Sequence, residues 1–393
     1  MPLGWGVSRV LSMELLIPEN ERFECAALIT LGFDLVPQRT AKLPPQYAVG
    51  LHAWFLDQVR QSDPALAQAL HEAESEKPFT LSRLQGPTEA VGKQLRISPE
   101  STYRWYASAL SPAVAQWMQD WSMRLPARIP LRQVLLQIRS VGTANPPTYY
   151  RQLLPRTPER SLALTFVTPT SFRRKGHHYP LPTPTNVFHS YLRRWNHFAG
   201  HPVDPEPFLS WIDENVAITR HQLESLKVAA GKRGSVTGFV GTIEFQLEAR
   251  AQQQLQFARL FVALGRLAPY CSTGHKTAFG LGQTRLGWSA QRDSLHALLA
   301  QAQFAERVEE LAARLLRRQK RPNGDRAQQV CHTRATILAR QENGEALGDI
   351  ATDLALPYDT VKSYAKVARQ TLRAVAVDEL GIDLPLGGRP RKQ

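Results

Sequence analysis

The sequence predicts an α+β fold of two similar units followed by an all-α extension, and three observations carry that reading. Strand-like and helix-like periodicities alternate as far as Trp288, whereas from Ser294 onward only the helical period remains. The order strand, helix, glycine-containing loop, strand in the second half loosely repeats the first half. The 393 residues also exceed one ordinary core and fit two or three domains. Two tandem ferredoxin-like (βαββαβ) units satisfy these observations. Their expected limits are residues 13–141 and 142–290, with the helical extension over 291–393.

The elements follow in order. "ELLIP" and "CAALITLGFDL" read as strands, with Met13 as a candidate start. In "PPQYAVGLHAWFLDQV", Tyr47, Leu51, Trp54, Phe55 and Val59 recur at helical spacing. "SDP" then supplies a cap and a first-turn proline for the helix "ALAQALHEAE". "FTLSRL" is a strand, and "YRWYASAL" and "LRQVLLQI" are strands around the helix "AVAQWMQDWSM". "SLALTFVTPTSFRRKGHHYPLPTP" starts as a strand and becomes a basic, proline-rich loop before the helix "NVFHSYLRRWNHF". "GFVGTIEFQL" alternates as a half-buried strand, and Phe257, Leu260, Phe261, Leu264 and Leu267 share one face of the helix that follows. In the extension, "GEALGDIATDLALPYDTVKSYAKVARQTLR" reads as two short helices split at Leu356-Pro357, with Leu347, Ile350, Ala351, Leu354, Val361 and Tyr364 facing inward. This is a helix-turn-helix pattern.

Composition narrows the partners. Lysine and arginine number 48 against 34 acidic residues, giving a formal charge of +14, and an excess of that size favours a polyanion. No run of 18 apolar residues, basic amphipathic terminal helix or lipidation signal points to a membrane. Cys25, Cys271 and Cys331 are odd in number and far apart, which suits a reducing cytoplasm and argues against a structural zinc site. His177, His178, His189, His197 and His201 match no compact metal motif, so no metal is expected.

The loop "TGHKTAFGLGQ" carries Gly274, His275, Lys276, Gly280 and Gly282. Cofactor glycine motifs leave a strand and open a helix, where free amides meet phosphate; this loop leaves a helix and enters a strand, so no nucleotide cofactor is expected. Two readings stay open. The glycines let an extended nucleic-acid backbone approach the amides beside His275 and Lys276, or Gly274 caps the helix while Gly280 and Gly282 mark a bulge.

Three stretches together, "PYCSTGHKTAFGLGQ", "FVTPTSFRRKGHHYPLPTP" followed by "RRW", and "ALHEAESEKPF", resemble the repeat-cleaving CRISPR-associated endoribonucleases of the Cas6 family, within the RAMP superfamily. The resemblance spans Met13 to Trp288. It implies two ferredoxin-like domains, binding of CRISPR repeat RNA in precursor and guide form, and metal-independent cleavage. In that chemistry a ribose 2'-hydroxyl attacks the adjacent phosphate and expels the 5'-oxygen, leaving a cyclic phosphate. The reaction needs a base, an acid and positive charge.

By resemblance, His71 matches the catalytic histidine and Lys77 the charge-stabilising lysine. The family's additional tyrosine would fall at Leu56, so one proton-transfer group is unassigned, with His52 on the same helix as the substitute. Arg173, Arg174 and Lys175 in "SFRRKGHH", and Lys232 and Arg233 in "GKRG", are candidate RNA-contacting loops. Tyr179, Trp195 and Phe279 are candidates for stacking on bases, Trp195 being also a core candidate. Interference-complex subunits, and DNA through the extension, are further candidate partners. The alternatives are a repeat-binding protein that does not cut, and a DNA-binding transcription regulator.

Overall fold

A computed structural model describes residues 27–44, 46–72, 76–91, 94–131, 134–230, 234–289, 304, 306–317 and 325–380. "ELLIP", Met13 and Cys25 lie outside the described residues.

The first unit runs β1 (Leu28–Pro37), β2 (Ala41–Leu43), α1 (Tyr47–Ser62), α2 (Pro64–Glu72), β3 (Phe79–Leu81), β4 (Glu89–Val91), β5 (Gln94–Ile97), β6 (Tyr103–Ala109), α3 (Pro112–Ser122), β7 (Arg128–Leu131) and β8 (Val134–Thr148). Its main sheet has the order β3-β6-β1-β8-β7, with every pairing antiparallel. Four of these strands, taken as β1, β3, β6 and β8, give the ferredoxin-like order. β8 runs past Val141 to Thr148. A small sheet, β2-β5-β4, sits apart.

The predicted spacing on α1 is realised, for Tyr47, Leu51, Trp54, Phe55 and Val59 are all buried. Asp63 ends α1, and its Oδ1 accepts the Leu66 amide at 2.9 Å, so one residue closes one helix and caps the next, with Pro64 in the first turn. Phe33, Trp54, Phe55, Trp105, Trp117 and Trp121 fill the space between helices and sheet. Burial of each contributes about 1.5–3 kcal/mol of apolar transfer.

After α4 (Tyr150–Leu153), the second unit runs β9 (Ser161–Thr170), the hairpin β10 (Phe172–Arg174) and β11 (His177–Tyr179), α5 (Pro184–Phe198), α6 (Pro205–Asn215), β12 (Val216–Ala230), β13 (Gly234–Leu247), α7 (Leu255–Cys271) and β14 (Thr284–Leu286). The sheet order β12-β13-β9-β14 repeats the ferredoxin-like plan. β13 departs from the expected alternation. Val240 and Thr242 are buried as well as Phe239, Ile243 and Phe245, because this strand is central and Thr242 lies beneath Ser289, whose carbonyl accepts its hydroxyl. Helix α7 is buried on nearly every side rather than along one face.

The two units share their interiors. Leu28 and Leu110 pack in the second core, and Ala278 packs in the first. Buried bonds cross between them: Thr80 Oγ1 donates to the Tyr270 carbonyl at 2.8 Å, and Tyr150 Oη to the Leu110 carbonyl at 2.9 Å.

The extension contains α8 (306–316), α9 (Asp325–Glu342), α10 (Leu347–Leu354) and α11 (Tyr358–Leu380). Ile350, Ala351 and Val361 are buried, with Leu347, Leu354 and Tyr364 packed against them. The second helix of the pair is not short: α11 spans 23 residues. Between α10 and α11, Ala355 takes a left-handed conformation (φ 52°), and the amides of Ala355 and Leu356 return to the carbonyls of Thr352 and Ala351. That pair of bonds is a Schellman closure, made here with alanine where glycine is usual.

Candidate active site and RNA interface

The glycine-rich loop of the second unit closes onto the first. It leaves α7 at Ser272 (φ 57°), turns through a short 3-10 segment (Thr277–Phe279) and enters β14. Inside it the Thr273 amide donates to the Gly282 carbonyl at 2.7 Å, and Thr273 Oγ1 lies between Tyr191 Oη and Thr284 Oγ1. Phe279 projects onto α1 and stacks on the His52 ring, with centroids 4.4 Å apart.

The glycines serve this closure. The Gly274 amide donates to Ser190 Oγ at 2.8 Å and the Gly282 amide to the Pro169 carbonyl at 3.1 Å. All three are buried with positive φ, and an added Cβ would lie 2.3 Å from the Ser171 oxygen at Gly274, 2.7 Å from the Arg83 nitrogen at Gly280, and 1.8 Å from the Thr273 oxygen at Gly282. The amides of Gly274 and Gly282 are therefore not open to a phosphate. An amide cradle at these two positions is closed, and Gly280 caps the short 3-10 segment in a left-handed conformation. The glycines permit close approach of the protein's own backbone.

The loop's side chains differ from its backbone. His275 Nδ1 lies 2.8 Å from the Ser171 carbonyl, which can only accept, so Nδ1 carries the proton. Burial, helped by the nearby cations, lowers the affinity of His275 for a second proton. Its ring stacks on His178 at 5.1 Å, joining the loop to the β10–β11 hairpin. Lys276, in a left-handed conformation (φ 59°), has no side-chain partner among the described residues. The hairpin exposes Arg173, Arg174 and Lys175, so these three and the loop lie together; Arg174 sits over Tyr179. Lys232 and Arg233 lie outside the described residues.

Of the expected catalytic positions, Lys77 is close enough to His52 for its charge to act on that ring. His71 is exposed in the last turn of α2. Lys77 reaches back to that turn, its Nζ donating to the Leu70 carbonyl at 2.8 Å. His52, on α1, is held neutral: burial, then the Lys77 charge, lowers its pKa to about 4. Leu56, one turn along α1, packs against the first core and offers no hydroxyl. Trp195 is core, its indole bonded to the His201 carbonyl. Among the described residues no group of three or more His, Cys, Asp or Glu is placed to hold a metal ion.

Sequence reasoning missed the clamp between the units. Glu76 is met by Arg193 at 3.1 Å and by Arg194 at 3.5 Å, both from α5. Arg194 is buried and also donates to Ser190 and to the Gly274 carbonyl, so one guanidinium holds the residue beside Lys77 and the start of the glycine loop. The paired arginines of "RRW" were the available signal, but their partner lies far away in the chain.

Two ferredoxin-like units joined through a glycine-rich loop define the class. Residues 29–119 match the CRISPR Cas6 N-terminal domain, and residues 164–284 match the CRISPR-associated endoribonuclease Cas6, together more than half of the chain. The chain belongs to the Cas6 family. A curated CRISPR-associated endoribonuclease Cas6 of Streptococcus thermophilus is 24% identical over 125 residues, 32% of this chain and 49% of the relative, so the chain spans about half the length of that relative. A Cas6 (TTHB231) product complex, from Thermus thermophilus, is 25% identical with a TM-score of 0.56, covering 66% of this chain and 100% of that one. A Cas6 (TTHA0078) product complex is 26% identical with a TM-score of 0.53, covering 66% and 99%. No helix among the described residues is long and apolar enough to cross a membrane.

Proposed function

We propose that the protein is an endoribonuclease that binds a CRISPR repeat RNA and cuts it without a metal ion, releasing guide RNA. The observation that carries this reading is the seating of the glycine-rich loop against α1, with Phe279 on His52, the Lys77 charge acting on His52 and the Lys77 Nζ bonded to the end of α2.

The roles follow from the environments. The 2'-oxygen attacks phosphorus, its proton passes to a base, the bond from phosphorus to the 5'-oxygen breaks, and that oxygen takes a proton from an acid. The products are a 2',3'-cyclic phosphate and a 5'-hydroxyl. His52 is neutral near pH 7, so one ring nitrogen can accept a proton and the ring does not act as an imidazolium acid; it is assigned the base, and its low pKa makes it a weak one. His71, open to solvent at the end of α2, is assigned the acid. The Lys77 ammonium stabilises the charge building on the phosphorane. Arg173, Arg174, Lys175 and Lys276 hold the flanking backbone, and His275, whose ring nitrogens are bonded to Ser171 or buried, fixes the loop against the hairpin instead. Guide RNA and interference-complex subunits are the partners this reading implies.

Leu56 favours a second reading, a protein that holds the repeat and does not cut it. Single-turnover incubation with repeat RNA in excess chelator separates the two. Cleavage to cyclic-phosphate and 5'-hydroxyl ends is expected, whereas tight binding with intact RNA selects the second.

A further inference from the structure

The extension is tied to the first unit by one face and leaves another open. Arg340, 2% exposed, bonds Glu345 and Asp353; Asp353 also accepts from Arg96 of β5 at 2.5 Å, and its carbonyl accepts from Lys42 of β2. These contacts gather at the end of α10 and the small sheet. One side of α11 is exposed, presenting Lys362, Lys366, Arg369 and Arg373 at spacings of four, three and four residues. Such spacing lines one face of a helix. Lys362, Lys366 and Arg373 meet no carboxylate among the described residues, while Arg369 bonds Gln341 at 2.7 Å. Tyr358, half exposed, and Ser363 lie towards the start of the same helix, with Asp359 the exposed acid there.

We propose that α11 is a recognition helix that enters the major groove of duplex DNA. The three-residue connection from α10 is the length of a helix-turn-helix turn, and in that motif the second helix enters the groove with its first turns on base edges. Tyr358, Lys362 and Ser363 occupy those turns. Lys366, Arg369 and Arg373 continue the stripe so that it runs about 16 Å at 1.5 Å per residue, reaching the flanking phosphates. B-form DNA admits a helix in its wide major groove, whereas the deep, narrow groove of A-form RNA does not, so the geometry selects DNA. This surface is separate from the loop assigned to RNA and does not depend on that assignment.

The test uses the full chain. Affinity for a random-sequence DNA duplex and for repeat RNA is measured by fluorescence anisotropy from about 50 to 200 mM salt, for wild type and for the triple variant Lys362→Ala, Lys366→Ala, Arg373→Ala. The expected result is weaker DNA binding by the variant, a salt slope flatter by about 0.9 for each lost phosphate contact, and unchanged affinity for RNA. Equal DNA affinity and slope in both proteins overturns the proposal. So does a variant that loses RNA instead, which makes the stripe an RNA surface, or a wild type that binds no duplex at low salt, which leaves protein docking.

Discussion

The Arg194 guanidinium and the Glu76 carboxylate face each other across the two ferredoxin-like units at 3.5 Å, with Arg194 almost wholly buried. Arg194 cannot leave this environment without exposing its other bonds, to Ser190 and to the Gly274 carbonyl. The pair fixes the segment before β3 relative to the glycine loop.

Neutralising Glu76 by Glu76→Gln removes the acceptor charge from a buried guanidinium. Breaking a buried ion pair by removing one partner's charge costs up to about 3–5 kcal/mol, and because Ser190 and the Gly274 carbonyl also hold Arg194 a smaller loss is expected in urea unfolding. An unchanged midpoint would mean that Ser190 and Gly274 satisfy Arg194 unaided.

His71→Ala should slow cleavage by roughly 100- to 10,000-fold and leave repeat affinity within a few fold, since it removes a proton-transfer group and no phosphate charge. Single-turnover rates and anisotropy measured on one preparation decide it. A wild-type rate returns the acid role to another group.

His52 predicts an acid sensitivity. Its folded pKa of about 4 lies below the ordinary 6.5, so between these values the unfolded chain binds a proton that the folded chain refuses. The stability it supports is therefore complete above that window and declines as pH falls through it. His52→Phe keeps a ring against Phe279 and removes the titration. From pH about 7 to about 4.5 the variant should lose less stability than wild type in urea melts. Parallel losses would place the acid sensitivity elsewhere. The same variant should be slow in cleavage at every pH if His52 is the base.

Gly282→Ala tests the role of the loop glycines. The left-handed conformation alone costs an ordinary residue about 1–2 kcal/mol, and the approach to the Thr273 oxygen adds to it. The expected outcome is a lower unfolding midpoint with RNA affinity falling only as the folded fraction falls. Full stability with weakened RNA binding would restore the amide-cradle role.

The fold was legible in the sequence wherever periodicity was strong. Trp54 and Phe55 on α1 and the Asp63-Pro64 cap lie where spacing and capping chemistry put them. β13 was less so, because its second face is covered by residues from elsewhere in the chain, and alternation reports only local contrast. The length of α11 was hidden by its early polar residues, whose exposure says nothing about where a helix stops. In the candidate site, His52 and Lys77 were visible as residue types, and their proximity emerges only once α1 and β3 are packed. The Glu76 clamp was invisible, since an ion pair between distant segments leaves no trace in spacing.

The borrowing of Leu28 and Leu110 by the second core, and of Ala278 by the first, makes the covalent link between the halves mechanically redundant. A protease nick in the exposed stretch Arg156–Arg160 would leave two fragments each lacking part of its own interior, and each would find the missing part only in the other. They would stay associated through a gel-filtration column and separate only on denaturation.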